Sequence, residues 1–207
     1  MAARRRLCEF VTNPAQCARL VPDEISDTLS PLLLHTTGAP AHRIRLARKL
    51  VRHGPVAIIG AGPIGLGAVF AAPPLGFADR SNTDPGAHRL HAAQAPGAQN
   101  LDAAHAPRRF PLVLDNAGVN AARQRAPELT APRGVGMFLG ESERWEIDAV
   151  KAIRRKDFFI ARSFYFPLHN YAANIELLRA DRARYAQLVD ATVPLNGLHE
   201  LFASFAA

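Results

Sequence analysis

The stretch Pro55-Val56-Ala57-Ile58-Ile59-Gly60-Ala61-Gly62-Pro63-Ile64-Gly65-Leu66-Gly67 constrains this chain more than any other part of it. An apolar run enters G-x-G-x-x-G directly, and a helix-forming stretch leaves it. Strand, glycine turn and helix in that order are what a backbone needs to hold a dinucleotide pyrophosphate. Gly60 permits the tight turn, Gly62 lets backbone approach the phosphates, and Gly65 lets the helix lie close against the strand. Ala61, Pro63 and Ile64 complete the turn, and the helix N-terminus supplies amide donors and the positive end of a dipole. No lysine follows the glycines, which excludes a phosphate loop of the G-x-x-x-x-G-K type.

A glycine turn alone is a weak signal, so the test is an acid about 20 residues further on, at the end of a second strand. Asp84 lies 84 − 65 = 19 residues past Gly65. Such an acid accepts hydrogen bonds from the adenosine ribose hydroxyls and repels a 2′-phosphate, which favours NAD over NADP. Arg89 nearby weakens that preference, because an arginine beside the ribose accommodates a 2′-phosphate. Taken alone, Asp84-Pro85-Gly86 reads as a surface turn.

The rest of the chain alternates short apolar runs with helical stretches, the pattern of an α/β fold with a doubly wound parallel sheet. Val56–Ile59 is the first strand and 63–72 the first helix. Leu112-Val113-Leu114-Asp115 is a later buried strand, followed by the turn Asn116-Ala117-Gly118 and a helix ending near Leu129. Residues 134–140 read as the next strand, 158–163 as another, and 171–179 as a helix. Three departures from an ordinary design stand out. Pro73-Pro74 stops the first helix, Ser81-Asn82-Thr83 puts polar side chains where a buried strand is normally apolar, and Pro96 cuts the helix after it. These threaten the adenosine side of a pocket more than the pyrophosphate turn.

Composition decides what else the chain is. At 207 residues and 48% apolar composition it buries a sizeable core. No apolar run approaches the roughly 20 residues that span a bilayer. Met1-Ala2-Ala3-Arg4-Arg5-Arg6 is basic, but Glu9 and Asn13 interrupt any apolar signal core, so the expected location is cytoplasmic. Cys8 and Cys17 match no zinc or redox spacing. The net charge of +7 comes mostly from arginines at the N-terminus, around 43–52 and at Arg154-Arg155-Lys156. These are interleaved with core-spaced apolar residues and lack aromatic stacking partners, which argues against nucleic acid and suits a polyanionic cofactor. His88 and His91 stand one helical turn apart without a third ligand, His169 begins a helix, and Trp145 reads as a packing anchor.

In order along the chain come Glu9-Phe10-Val11, Val21-Pro22-Asp23-Glu24, Ile59-Gly60-Ala61-Gly62-Pro63-Ile64-Gly65-Leu66, Asp84 with Arg89-Leu90, Leu114-Asp115-Asn116-Ala117-Gly118, Leu139-Gly140-Glu141, Arg155-Lys156-Asp157 and Ser163-Phe164-Tyr165-Phe166. In that order the chain, from Cys8 to Phe205, resembles the nucleotide-binding part of the medium-chain, zinc-type alcohol dehydrogenases, especially their sorbitol and threonine dehydrogenase-like members. The resemblance implies a Rossmann-type NAD-binding domain over 36–182. It also implies a remnant of a GroES-like catalytic domain and linker over 1–35, and a returning segment over 183–207. It implies NAD-linked oxidation of a secondary alcohol or polyol, with a zinc ion as Lewis acid, and association into a homodimer or homotetramer near 159–166. The family's Cys and Gly-His-Glu zinc motifs are not in this sequence, so the expected sets of catalytic and metal residues are both empty. Ser30-Pro31 or His35 stands where some members place another ligand. A non-catalytic NAD-binding or structural module is the second reading. The short-chain dehydrogenases are set aside: four residues after Tyr165, Tyr171 and Tyr185 come His169, Ile175 and Val189, never the lysine they need.

Overall fold

Val56–Ile59 (β1) is apolar at every position because every position is buried, as in a central parallel strand covered on both faces. Parallel neighbours flank it: Arg80–Thr83 (β2) on one side and Phe110–Asp115 (β4) on the other, with Ile59 opposite both Thr83 and Asp115. Gln99–Asn100 (β3) lies outside β2, while Thr130–Phe138 (β5) and Phe159–Arg162 (β6) extend the other side. The order is therefore β3-β2-β1-β4-β5-β6, all parallel, a doubly wound sheet whose order reverses between β1 and β4. The computed structural model describes residues 10, 12–103, 109–141, 145, 146, 150, 154 and 157–204. Cys8, Glu9, Val11, Arg155, Lys156 and Phe205, used in the sequence reading, lie outside the described residues.

Helices cover both faces. Ala39–Ala47 (α1) and Pro63–Ala71 (α2) pack with Val56, Ile58, Leu112 and Leu114 on one side, together with Ile25, Leu29, Leu33 and Tyr185. Asn120–Leu129 (α4) places Ala122 and Ala126 against Ala57, Ile59, Val113 and Phe138 on the other. Strand alternation explains the split, since successive side chains leave opposite faces. Among the described residues no helix is long and apolar enough to cross a membrane.

The prolines and glycines act as punctuation. Pro63 opens α2 at a position where its missing N–H costs nothing. Pro73–Leu75 is a short 3-10 turn that ends the helix, and Gly76, at φ +95°, closes it. Ala87–Gln94 (α3) stops before Pro96, as the sequence suggests. β5 begins at Thr130 rather than Gly134. Thr130 pairs with Phe110, and an irregularity then shifts the register before Leu112 meets Val135. Pro132 and Arg133, the latter at φ 61°, hide that first part of the strand from a periodicity reading.

The polar second strand is accommodated. The Asn82 amide nitrogen donates to the carbonyls of Ile58 (3.0 Å) and Gly60 (3.1 Å), and the Thr83 hydroxyl donates to Asp102. A side chain where an apolar one is expected thus pins the end of β1 and the first glycine of the turn. Replacing it by alanine leaves the Gly60 carbonyl without that donor. Asn82→Ala is expected to cost about 1–3 kcal/mol, measured as a lowered urea midpoint at unchanged m-value.

Candidate functional site

The glycine turn is built by three different demands on three glycines. Gly60 sits at φ +94°, and its N–H donates to the Thr83 carbonyl at 2.8 Å. A Cβ on Gly65 would stand 2.0 Å from the Gly60 oxygen, so only glycine lets α2 seat on β1. Gly62 is different, because a Cβ there would meet nothing within 4 Å. Nothing among the described residues requires glycine at 62, and the space over it is empty.

That space is a cleft of about 730 Å³ at the C-terminal ends of β1, β2 and β4, where the strand order reverses. Doubly wound sheets bind ligands in this crevice. No side chain caps α2, so the N–H groups of Ile64 and Gly65 in its first turn are available to an anion, with the helix dipole behind them.

Asp84 forms part of the cleft wall, with its side chain 7% exposed. One carboxylate oxygen accepts the Ala61 N–H at 2.8 Å; the other accepts the Gly86 N–H and the Arg89 Nε–H, each at 2.8 Å. Burial alone would raise this carboxyl, but the two amides and the Arg89 guanidinium together outweigh it and hold it below its ordinary value of 3.8. A carboxylate offers about four acceptor positions, so three are spent within the protein. The structure thus assigns Asp84 a second task that its sequence position does not suggest, joining the glycine turn to the turn after β2.

Two features of the cleft escape the sequence reading. Arg125 of α4 pairs with Asp102 and reaches the Thr83 hydroxyl at 3.4 Å, placing a second guanidinium beside Arg89 at the β2 end of the cleft. Asn116 follows Asp115, and its backbone N–H donates to Ile59 at 2.9 Å. Both polar atoms of its side chain are buried without a partner. Buried amides are normally satisfied, and this one stands in a wall shared by the cleft and a second cavity of about 560 Å³. Asp115 supports the wall: its carboxylate accepts the N–H groups of Ala117 (3.0 Å) and Gly118 (3.1 Å) and faces Arg123 at 2.7 Å. Burial pushes the Asp115 carboxyl above its ordinary value despite these partners.

The sequence-derived site is therefore brought together unequally. Gly60, Gly62, Pro63, Asp84 and Arg89 line the cleft, Ala61 supplies the amide that Asp84 holds, Gly65 lies behind the turn, and Ile64 faces the second cavity. An open glycine cradle, an uncapped helix and an orphaned carboxamide fit a dinucleotide. A zinc ion is not fitted: among the described residues no three of His, Cys, Asp or Glu gather. His35 packs edge-on to Tyr165 at 4.8 Å, His88 and His91 are exposed on α3, and Cys17 is exposed. Trp145 packs against Phe138 at 4.7 Å.

No family model matches the chain, and no curated protein matches its sequence. Solved structures do match its fold. An alcohol dehydrogenase from Thermus sp. ATN1 is 23% identical with a TM-score of 0.74, over 91% of this chain and 59% of that one. The 2R,3R-butanediol dehydrogenase of Bacillus subtilis is 20% identical with a TM-score of 0.67, over 78% of this chain and 49% of that one. A structure from Sinorhizobium meliloti 1021, named for zinc-binding dehydrogenases and bound to NADP, is 19% identical with a TM-score of 0.65, over 83% of this chain and 52% of that one. This chain thus spans about half the length of the structures it matches, and what it shares with them is the six-stranded parallel α/β fold.

Because the folded carboxyl of Asp84 lies below 3.8, its stabilising contribution is complete above that value and disappears as pH falls through the lowered one. Asp84→Asn is expected to cost about 1–2 kcal/mol at neutral pH. The gap between variant and parent, followed by urea unfolding across a pH series, closes only in the acid range below 3.8.

Proposed function

We propose that this chain is the dinucleotide-binding part of an oxidoreductase of the zinc-type alcohol dehydrogenase kind, with NAD as the preferred cofactor. The observation that carries it is the uncapped N-terminus of α2 opening onto the empty space above Gly62 at the sheet's reversal point. In this reading the pyrophosphate lies on the amides of Ile64 and Gly65, with Gly60 and Gly62 keeping side chains out of its path. Asp84 has one acceptor position left for an adenosine ribose hydroxyl, and its charge disfavours a 2′-phosphate. Arg89 and Arg125 at that end moderate the discrimination, so NADP binds more weakly than NAD rather than being excluded.

Bound NAD supplies the hydride acceptor, and a secondary alcohol or polyol is the matching substrate class. The chain's own contribution is to bind and orient: Asn116 offers a carboxamide donor and acceptor, and Ile64 an apolar wall. No metal-dependent step is assigned, since the described residues do not provide the donors. That donor set also favours a second reading, in which the chain binds the dinucleotide without turnover.

The exposed edge of β6 supports association with a second copy. Phe159 and Ile160 are 49% and 41% exposed on a strand that, among the described residues, is paired on one side only, and such an edge is a template for further pairing.

Gly62→Asp should fold normally, because the space at 62 is open, yet it puts a carboxylate against the pyrophosphate. NADH affinity is expected to fall by at least about a hundredfold in calorimetric titration, with the thermal midpoint unchanged; equal affinity would remove the glycine turn from the site. For the edge strand, light scattering at micromolar concentration is expected to give a dimer or tetramer for the parent and a smaller species for Ile160→Lys. A monomeric parent counts against association.

A further inference from the structure

The basic run around 43–52 does not serve the dinucleotide cleft. Residues 45, 48, 49 and 52 stand at i, i+3, i+4 and i+7, one face of α1 and of the turns that continue it, where the Arg48 N–H donates to Ile44 and the Val51 N–H to Ala47. Arg45, Arg48, Lys49 and Arg52 line a pocket of about 350 Å³ that shares no residue with the cleft. Among the described residues nothing aromatic, apolar or acidic joins that lining. From Arg52 the chain enters the N-terminal end of β1, whereas the cleft opens at the strand's C-terminal end.

A helix C-terminus tolerates cations, because its last carbonyls carry partial negative charge. Like charges three and four residues apart nevertheless repel one another, and here no counter-charge relieves them. Among the described residues no carboxylate pairs with any of the four, although Arg89, Arg123, Arg125, Arg179 and Arg184 each have one. The pocket is also braced. Arg45 is half-buried, and its Nη1 donates to the Asn174 Oδ1 at 2.8 Å on the helix Tyr171–Ala180 (α5). Arg48 lies over the turn that closes α2, with its Nε 3.9 Å from where a Cβ on Gly76 would stand. The field reaches further along α1: His42 is held below its ordinary value first by burial and then by Arg43, Arg45, His169 and Lys49.

We propose that this pocket binds a compact anion carrying two or three linked phosphate groups. Guanidinium forks match pairs of phosphate oxygens, and the lysine adds a point charge. At about −1.5 to −2 charges per phosphate, one phosphate leaves half of the four cations unpaired, and a linked pair or triple matches them. The volume is at the lower end of the roughly 300–1,000 Å³ of small-ligand sites. A nucleic acid strand is disfavoured, since strand binding uses aromatic platforms for the bases and this lining offers none. The site lies outside the cleft, so the proposal does not depend on the dinucleotide reading.

The test titrates inorganic tripolyphosphate calorimetrically into the full chain carrying Gly62→Asp, which keeps phosphates off the glycine turn. Orthophosphate and an oligothymidylate are run alongside at about 0.15 M NaCl, where exposed charges more than about 8 Å apart are screened. One tripolyphosphate per chain is expected, at least about tenfold tighter than orthophosphate. Changing Arg48, Lys49 and Arg52 together to glutamine is expected to weaken it at least about tenfold. If circular dichroism shows that the triple variant does not fold, Arg52→Gln alone decides, with a loss of at least about threefold. Equal affinity for tripolyphosphate and orthophosphate overturns the proposal, as does an oligothymidylate that binds more tightly than either. A folded variant with a lowered thermal midpoint and unchanged tripolyphosphate affinity also overturns it, because the cations then serve only the helix.

Discussion

Everything in this molecule depends on how closely α2 approaches β1. The Gly65 backbone presses on the Gly60 carbonyl from one side, and Gly67 lies against the Thr36 carbonyl, where a Cβ would stand 1.6 Å from the oxygen. The helix is thus held between the end of the central strand and the π-helical turn Leu34–Gly38 that leads into α1. A methyl group at either glycine would lift α2 away from the sheet. Two consequences follow from that seating. The N-terminal amides of α2 point over the reversal point of the sheet, and residues 34–43 are drawn close enough to wall the second cavity.

Electrostatically, the cleft is organised by carboxylates that are already occupied. Asp84 bonds to the glycine turn and to Arg89, Asp102 to Arg125 and Thr83, and Asp115 to the amides of its own turn. Asp84 and Asp102 each join segments that are distant in sequence, while Asp115 closes its own turn. The acids therefore act first as fasteners, and their ligand-binding capacity is what remains after fastening. Among the buried polar atoms without a hydrogen-bond partner are both ends of the Asn116 carboxamide, in the shared wall, and the Nε of Arg43.

How far this could be read from residues alone varied with the physics involved. β1, the glycine turn and the start of α2 were legible because apolar continuity and glycine spacing are local signals. The strands at 110–115 and 159–162 were legible by their apolar runs. The first half of β5 was not, because Pro132 and Arg133 break its pattern and its pairing with Phe110 is a long-range event. The polar β2 read as damage, yet Asn82 forms hydrogen bonds to two carbonyls of the β1 end. Asp84 was found by spacing, but its saturation by Ala61, Gly86 and Arg89 needed three-dimensional geometry. Arg43 carries no sequence signal at all; within a basic run it looks like any solvated helix face.

The two cavities divide the chemistry unequally. The larger one is shaped by backbone, with glycines and helix amides setting its floor, and this suits a ligand whose recognised part is a phosphate chain. The smaller one is walled largely by side chains, among them His35, Ile64, Leu139, Phe164 and Tyr165. A change in Gly60 or Gly65 acts on the fold before it acts on any ligand, because each is packed against backbone. Gly62 faces empty space, where an added Cβ meets nothing within 4 Å. Residues that look alike in a motif therefore separate, in the folded chain, into those packed against backbone and one that is not.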